Sequence, residues 1–429
     1  MSATTIVHIH GRRVWDSRGR PTLEVDVVLD GGARGRAIAP AGASRGTREA
    51  VELRDGGTRF GGLDVLGAVA QVEHTIAAAL RGHDAGDQAR VDSVLIALDG
   101  TPDKSRLGGN ATVAVSLAIA QAAAAAAGVP LWQYVGSGGS VSLPLPQVQV
   151  FGGGAHAGRR IDIQDLMVVP IGAWTFSEAL AIAADVYRAA GELMQQAGKL
   201  AGVADEGGWW PQFDANEEAI EMLVRAIEHA GLRPGIDAAI ALDIAASEFG
   251  RDGRYTLALD RRTLDRDDYT EMLLRWVERY PILSIEDPFA EDDRVAWIAF
   301  ARAAPARLQI VGDDYLVTRE SLVADAAVDR ACNAALIKVN QAGTLTEAYA
   351  ALAAASAAGF GAIVSARSGE SEDVSIAHLA VGWNAGQVKV GAFARSERMA
   401  KWNELLRIEE ALGDAAAFAG AGVLPGNRR

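Results

Sequence analysis

The chain has 429 residues, 22% of them charged, with 41 Lys and Arg against 55 Asp and Glu, a formal net charge of −14. Its basic runs are no longer than an arginine pair, which argues against nucleic acid as a partner, so an anionic substrate would need a local cationic pocket or a metal. The single cysteine, Cys332, excludes an intramolecular disulfide and fits a reducing, cytoplasmic compartment, and the length predicts two domains.

The first residues, Met1 to Thr5, carry neither a basic nor an apolar stretch, so no secretion signal is expected. Residues 4–30 alternate as strands do, and Asp16-Ser-Arg-Gly19-Arg-Pro21 reads as the turn of an antiparallel hairpin opening an α+β unit. Ala39 to Gly46 form a loop of small residues able to approach a ligand closely, and Glu49–Arg54 read as a charged helical turn. Helical patterns dominate from Leu63 to Tyr134. Ala111–Val129 is long enough to span a membrane, but it is mostly alanine, carries Gln121 and ends in Gly-Val-Pro, so a buried helix and no membrane contact are expected. The Gly136-Ser-Gly-Gly-Ser140 tract is the clearest linker and divides the chain into an N-terminal domain, 1–138, and a C-terminal domain, 139–429.

Beyond the linker, Gly152-Gly-Gly-Ala-His156 is a glycine turn without the context of a dinucleotide fingerprint. Ile161–Val169 is a strand pattern containing Asp165, Glu206 precedes a glycine pair, and Asp243 closes the apolar run Ile240–Leu242. Three further runs, Ile282–Ile285, Leu308–Val311 and Ala335–Val339, each deliver an ionisable group at or near their end: Glu286, Asp313 and Lys338. Asp313 to Lys338 spans 25 residues, Lys338 to Ser365 27, and Ser365 to Lys389 24, the period of a repeated βα unit. Strand C-termini converge on one mouth of such a barrel, so polar groups there point to chemistry. The tail, Ala416–Arg429, reads as frayed.

Three carboxylates at successive strand ends, Asp243, Glu286 and Asp313, without cysteine or histidine, make an all-oxygen set suited to Mg²⁺. Lys338 and Lys389 face the same mouth, where mutual repulsion and a metal would depress a lysine pKa and free it as a base. Such a base opposite a divalent metal can remove a weakly acidic proton next to a carboxylate. Glu206 and Asp165 are candidates for the acid that helps a leaving group depart, and Arg367-Ser368 suit a phosphate oxyanion.

Nine motifs, among them Asp16-Ser-Arg-Gly-Arg-Pro-Thr22, Gly42-Ala-Ser-Arg-Gly46, Asp205-Glu-Gly-Gly208, Ser284-Ile-Glu-Asp-Pro288, Lys338-Val-Asn-Gln341 and Arg395-Ser-Glu-Arg398, make the chain resemble an enolase over nearly its whole length. A lysine or histidine base opposite Mg²⁺ is the established arrangement of that superfamily. The resemblance implies an α/β fold, an enolase-type (β/α)8 barrel preceded by a smaller α+β domain, a homodimer or higher homo-oligomer, and two Mg²⁺ ions. It implies Asp243, Glu286 and Asp313 on the first ion and Ser44 on the second with the substrate phosphate. Lys338 would take the C2 proton, Glu206 assist loss of the C3 hydroxyl, Lys389 grip the carboxylate, and His156, Arg367 and Ser368 line the phosphoryl end. The chain departs from the family pattern at Ala366, where enolases have histidine, at Asp165, where they have glutamate, at Ala41, and at Trp209-Trp210. Losing an imidazole beside the phosphate pair opens volume, so the substrate end is expected to differ, as in the enolase-like carboxyphosphonoenolpyruvate synthases. An ordinary glycolytic enolase, the racemase and cycloisomerase branch, and a non-catalytic scaffold are the alternatives.

Overall fold

The computed structural model describes residues 2–136 and 138–426, so Ser137 of the linker and 427–429 of the tail lie outside the described residues. Three antiparallel strands, β1 (Ile6–Trp15), β2 (Pro21–Leu29) and β3 (Arg34–Ile38), open the chain in the order β1-β2-β3. The Asp16 carboxylate makes the first turn by accepting the backbone N–H groups of Arg18 at 2.8 Å and Arg20 at 2.9 Å. Helices α1 (Leu66–Leu80), α2 (Gln88–Asp99) and α3 (Gly109–Ala127) complete this domain.

Alanine is what lets α3 lie against the sheet. A Cβ added at Gly35 would overlap the Ala118 carbonyl and the Ala122 amide, so helix backbone meets strand backbone directly. Among the described residues α3 is the one helix long and apolar enough to cross a membrane, and 78% of its apolar window is buried in the protein. Residues 49–54 are not helical, contrary to expectation. Their amides bond outward instead, Ala50 N–H to the Gln341 carbonyl at 2.8 Å, Val51 to Asp103 at 2.7 Å and Leu53 to the Asn110 side chain at 3.0 Å, leaving no donors for a helical ladder.

Strands β4 (Leu145–Gly152), β5 (Asp165–Val169), β6 (Ala239–Asp243), β7 (Ile282–Glu286), β8 (Gln309–Gly312), β9 (Ala334–Ile337), β10 (Gly361–Ser365) and β11 (Gly386–Gly391) follow one another round a barrel closed by the pairing of β11 with β4. The fold is α/β, an eight-stranded enolase-type barrel behind a smaller α+β domain. The uniform βα period does not hold at its start. β5 runs antiparallel to both neighbours, because residues 153–164 carry only the short 3₁₀ turn Gly154–Ala157 and no crossover helix. The strand is also shorter than expected, beginning at Asp165. Reversal places that first residue at the same mouth where the parallel strands end, in register with Asp243.

The tail is ordered through 426, not frayed. Ala417–Phe418 pair with Ser142–Leu143, and Leu424, 3% exposed, packs on Leu145, Met167, Val169 and Ala241 at the opposite mouth. Burying these apolar side chains closes the barrel floor and explains why the tail is fixed.

Candidate active site

Asp243 and Glu286 are the last residues of β6 and β7 and stand side by side in register; Asp313 follows β8 and Lys338 follows β9. Lys389, in β11 opposite Ser365, sends its Nζ to Asp243 Oδ2 at 2.8 Å, both Glu286 oxygens at 2.9 Å and Asp165 Oδ2 at 3.2 Å. Lys338 Nζ donates to Asp313 Oδ2, whose other oxygen accepts from Gln341 Nε2 at 2.8 Å. Ser44, His156, Asp165, Glu206, Asp243, Lys338, Ala366, Arg367, Ser368 and Lys389 line one narrow pocket. Glu286 and Asp313 reach it through the ammonium groups they hold. Every site residue expected from the sequence is thus brought to one mouth.

Electrostatics correct the repulsion part of one expectation. Burial alone would lower the lysines, but Asp313 and Glu286 together outweigh it for Lys338, and Asp243, Glu286 and Asp165 together do so for Lys389, so both are raised. Carboxylates outnumber cations here, which the argument from lysine repulsion left out. Burial and the neighbouring Asp243 push Glu286 well up, against the pull of Lys389. Glu206 goes the other way: burial would raise it, but His156, Arg398, Lys389 and Lys338 hold it below the usual range.

Five buried carboxylates, Asp165, Glu206, Asp243, Glu286 and Asp313, therefore share two lysine charges. A further cation fits: the donors are hard oxygens, Glu286 resists ionisation as things stand, and the buried Gln164 Oε1 lacks a hydrogen-bond partner while its Nε2 donates to Asp243 at 3.0 Å. Two tighter acidic groups, His156/Asp165/Glu206 and Asp287/Asp313/Asp314, each bring ligand atoms within 4.8 Å of one another. In the second, Asp287 accepts the N–H groups of Asp313 at 2.9 Å and Asp314 at 2.7 Å, which sets the turn carrying Asp313. Added Mg²⁺ is expected to raise the melting temperature, by about 2.7 kcal/mol of stability at a hundredfold excess over its Kd. Glu286→Gln should abolish that shift in differential scanning calorimetry; an equal shift in the variant would remove Glu286 from the ligand set.

At the phosphoryl end, Arg367 is already engaged. Its guanidinium reaches Glu49 Oε2 at 3.0 Å and Oε1 at 3.2 Å, Asn340 Oδ1 at 2.9 Å and the Ser44 carbonyl at 3.2 Å, and the Glu49 charge raises its pKa against burial. His156 Nδ1 and Ser368 Oγ are 3.1 Å apart. Ala41 pairs with Gly369 through the backbone, so the small-residue loop lies closed over the pocket. Sequence reasoning gave no role to Glu49, hidden in a misread helical turn, to Gln149, or to Gln164, Asp287 and Asn340, which stand within two residues of Asp165, Glu286 and Lys338. The polar residues within Lys338-Val-Asn-Gln341 were a signal for one of these, Asn340.

Residues 6–135 match the family model described as the enolase N-terminal domain, and residues 140–425 the one described as the enolase C-terminal TIM barrel domain. Fold, strand-end carboxylates and closed loop agree with both matches, and the chain belongs to the enolase family, whose members generally use Mg²⁺.

Proposed function

We propose that the protein is a Mg²⁺-dependent hydro-lyase that removes water from a 2-phosphoglycerate-like acid. The observation that carries this reading is that Lys338 and Glu206 enter one pocket from two sides, with β10, β11 and β4 between their strands. Once Asp313 and Glu286, the carboxylates that raise Lys338, are engaged by Mg²⁺, its amine is freed of a proton. The neutral amine takes the proton from C2, the electron pair forms the C2–C3 double bond, and the C3 hydroxyl leaves as water with a proton from Glu206. Bound at Asp243, Glu286 and Asp313, Mg²⁺ would stabilise the charge that develops on the substrate carboxylate. Lys389 stands between Asp243 and Glu286, placed to meet that carboxylate.

Glu206 is the better acid of the two candidates. Asp165 is tied to Lys389 and to Gln149 Nε2, whereas three of the cations that hold Glu206 low, His156, Lys389 and Lys338, line the pocket an anionic substrate would enter, letting its pKa rise. We further propose a substrate whose phosphorus carries a carboxyl group, as for the carboxyphosphonoenolpyruvate synthases. Ala366 beside Arg367 and the short Asp165 support it. Completeness of the set of metal carboxylates, base and acid favours the second reading, ordinary 2-phosphoglycerate dehydration.

Turnover of 2-phosphoglycerate with Mg²⁺, followed by the ultraviolet absorbance of the enol product, separates the two. Activity comparable to a glycolytic enolase establishes the second reading; activity lower by orders of magnitude with Mg²⁺ bound supports the first. In that case Ala366→His should move relative kcat/KM toward 2-phosphoglycerate by about tenfold to a hundredfold, and an unchanged ratio shows that position 366 is not the selector.

A further inference from the structure

Glu206 sits on the turn between Leu200–Val203 and Trp209–Pro211, a hairpin against β4; its carboxylate faces His156 Nε2 at 3.7 Å and its carbonyl accepts the Ala392 N–H at 2.9 Å. The backbone on its far side is fixed twice. Gly207, at φ 94°, passes so close to Ala394 that an added Cβ would come 2.5 Å from the Ala394 carbonyl oxygen, and its own carbonyl accepts the Tyr187 hydroxyl at 2.7 Å. The next amide, Gly208 N–H, donates to Gln149 Oε1 at 2.8 Å, and the other end of that side chain, Nε2, donates to Asp165.

Tyr187 is itself held. It lies on α4 (Phe176–Gln196), buried to 8% exposure, with the Trp209 ring stacked on it at 4.7 Å and 15° and the Trp209 indole N–H on its carbonyl at 2.8 Å. Gly191, one turn along α4, leaves room for that ring: a Cβ there would stand 2.6 Å from it. The unusual Trp209 thus closes a chain from helix to tyrosine to turn. Burial keeps the phenol protonated, its pKa pushed up to about 12, so it donates across the working range.

We propose that Tyr187 and Gln149 are positioning residues that hold the Glu206 turn at a fixed distance from Asp165, so that the proton donor and its neighbouring carboxylate move as one unit. Neither side chain lines the pocket. The kinetic consequence rests on the dehydratase reading above, with Glu206 as the acid and Lys338 as the base.

Two measurements on the whole chain test it. Tyr187→Phe keeps the ring and its stacking and removes only the hydroxyl. Hydrogen–deuterium exchange of residues 203–210 should quicken in the variant while β6 and β7 keep their protection; unchanged protection of 203–210 overturns the hold, whatever the wild type catalyses. With 2-phosphoglycerate and Mg²⁺, product formation should fall by about tenfold to a hundredfold, while exchange of the C2 proton with solvent deuterium and KM keep their wild-type values. Gln149→Met should give the same split. An equal fall in exchange and elimination would mean a general structural role and overturn the proposal. A wild type that neither exchanges nor eliminates would overturn the dehydratase reading, while the protection measurement still decides the hold.

Discussion

Lys338→Ala is expected to bring deuterium incorporation at substrate C2 down to background, a loss of about 10²-fold to 10⁴-fold or more in kcat, with Mg²⁺ affinity nearly retained. The structure gives two reasons for the clean separation. Lys338 Nζ pairs with Asp313 alone, and that carboxylate keeps its hydrogen bond from Gln341 Nε2 at 2.8 Å and the turn set by Asp287 when the amine is gone. The Lys338 backbone is anchored independently, its N–H on Thr318 Oγ1 at 2.9 Å, so truncation leaves β9 in place. Lys389→Ala makes the contrast. It would leave Asp165, Asp243 and Glu286 facing one another with their shared cation removed, a loss of about 3–5 kcal/mol of the kind that follows stripping one partner from a buried pair. Loss of activity with loss of stability is therefore expected at 389, and loss of activity alone at 338. C2 exchange at the wild-type rate in Lys338→Ala, measured by NMR in deuterated buffer, would remove it as the base.

What could be read from the chain follows from how local each signal is. Glu286, Asp243 and Lys338 end or follow apolar runs, so their place at the mouth was visible in the chain itself. Asp165 was visible as a residue but not in its direction, because strand polarity depends on the connection, and 153–164 gave no sign that its crossover helix was missing. Glu49 to Arg54 carry the composition of a helix, yet their amides are taken by Gln341, Asp103 and Asn110, partners 50 or more residues away in sequence for each bond. Lysine repulsion was misjudged for a related reason. Counting two lysines at one mouth predicts repulsion, but Asp243 and Glu286 stand against Lys389, the reversed strand adds Asp165 and the hairpin adds Glu206, and the sum turns the shift upward. Leu424 shows the same limit at the barrel floor: a short tail rich in alanine and glycine reads as frayed until the apolar end it covers is known.

Gly42→Ala is expected to lower kcat/KM by about a hundredfold while leaving the melting temperature almost unchanged. A Cβ at this position would overlap Arg367 Nη2 and stand 2.7 Å from its Cζ and 2.9 Å from the Ser44 carbonyl oxygen. A long side chain tip normally moves aside, but this one is pinned by Glu49, Asn340 and Ser44. The loop cannot easily retreat either. Arg18 donates to the Ala41 carbonyl at 3.0 Å and the Gly42 carbonyl at 3.2 Å, and Ala41 and Gly369 exchange backbone hydrogen bonds at 2.9 and 2.8 Å. One of two things must give, the closed loop or the Arg367 fork, and both shape the phosphoryl end of the pocket. The fold core lies elsewhere, in the barrel and around α3, so global stability has little at stake. A double-mutant cycle isolates the clash. Arg367→Lys removes the obstructing nitrogen along with the fork, so Gly42→Ala should cost far less in that background than in the wild type. Strictly additive losses in kcat/KM would mean that alanine harms the loop by another route and that Gly42 is not there to make room for Arg367.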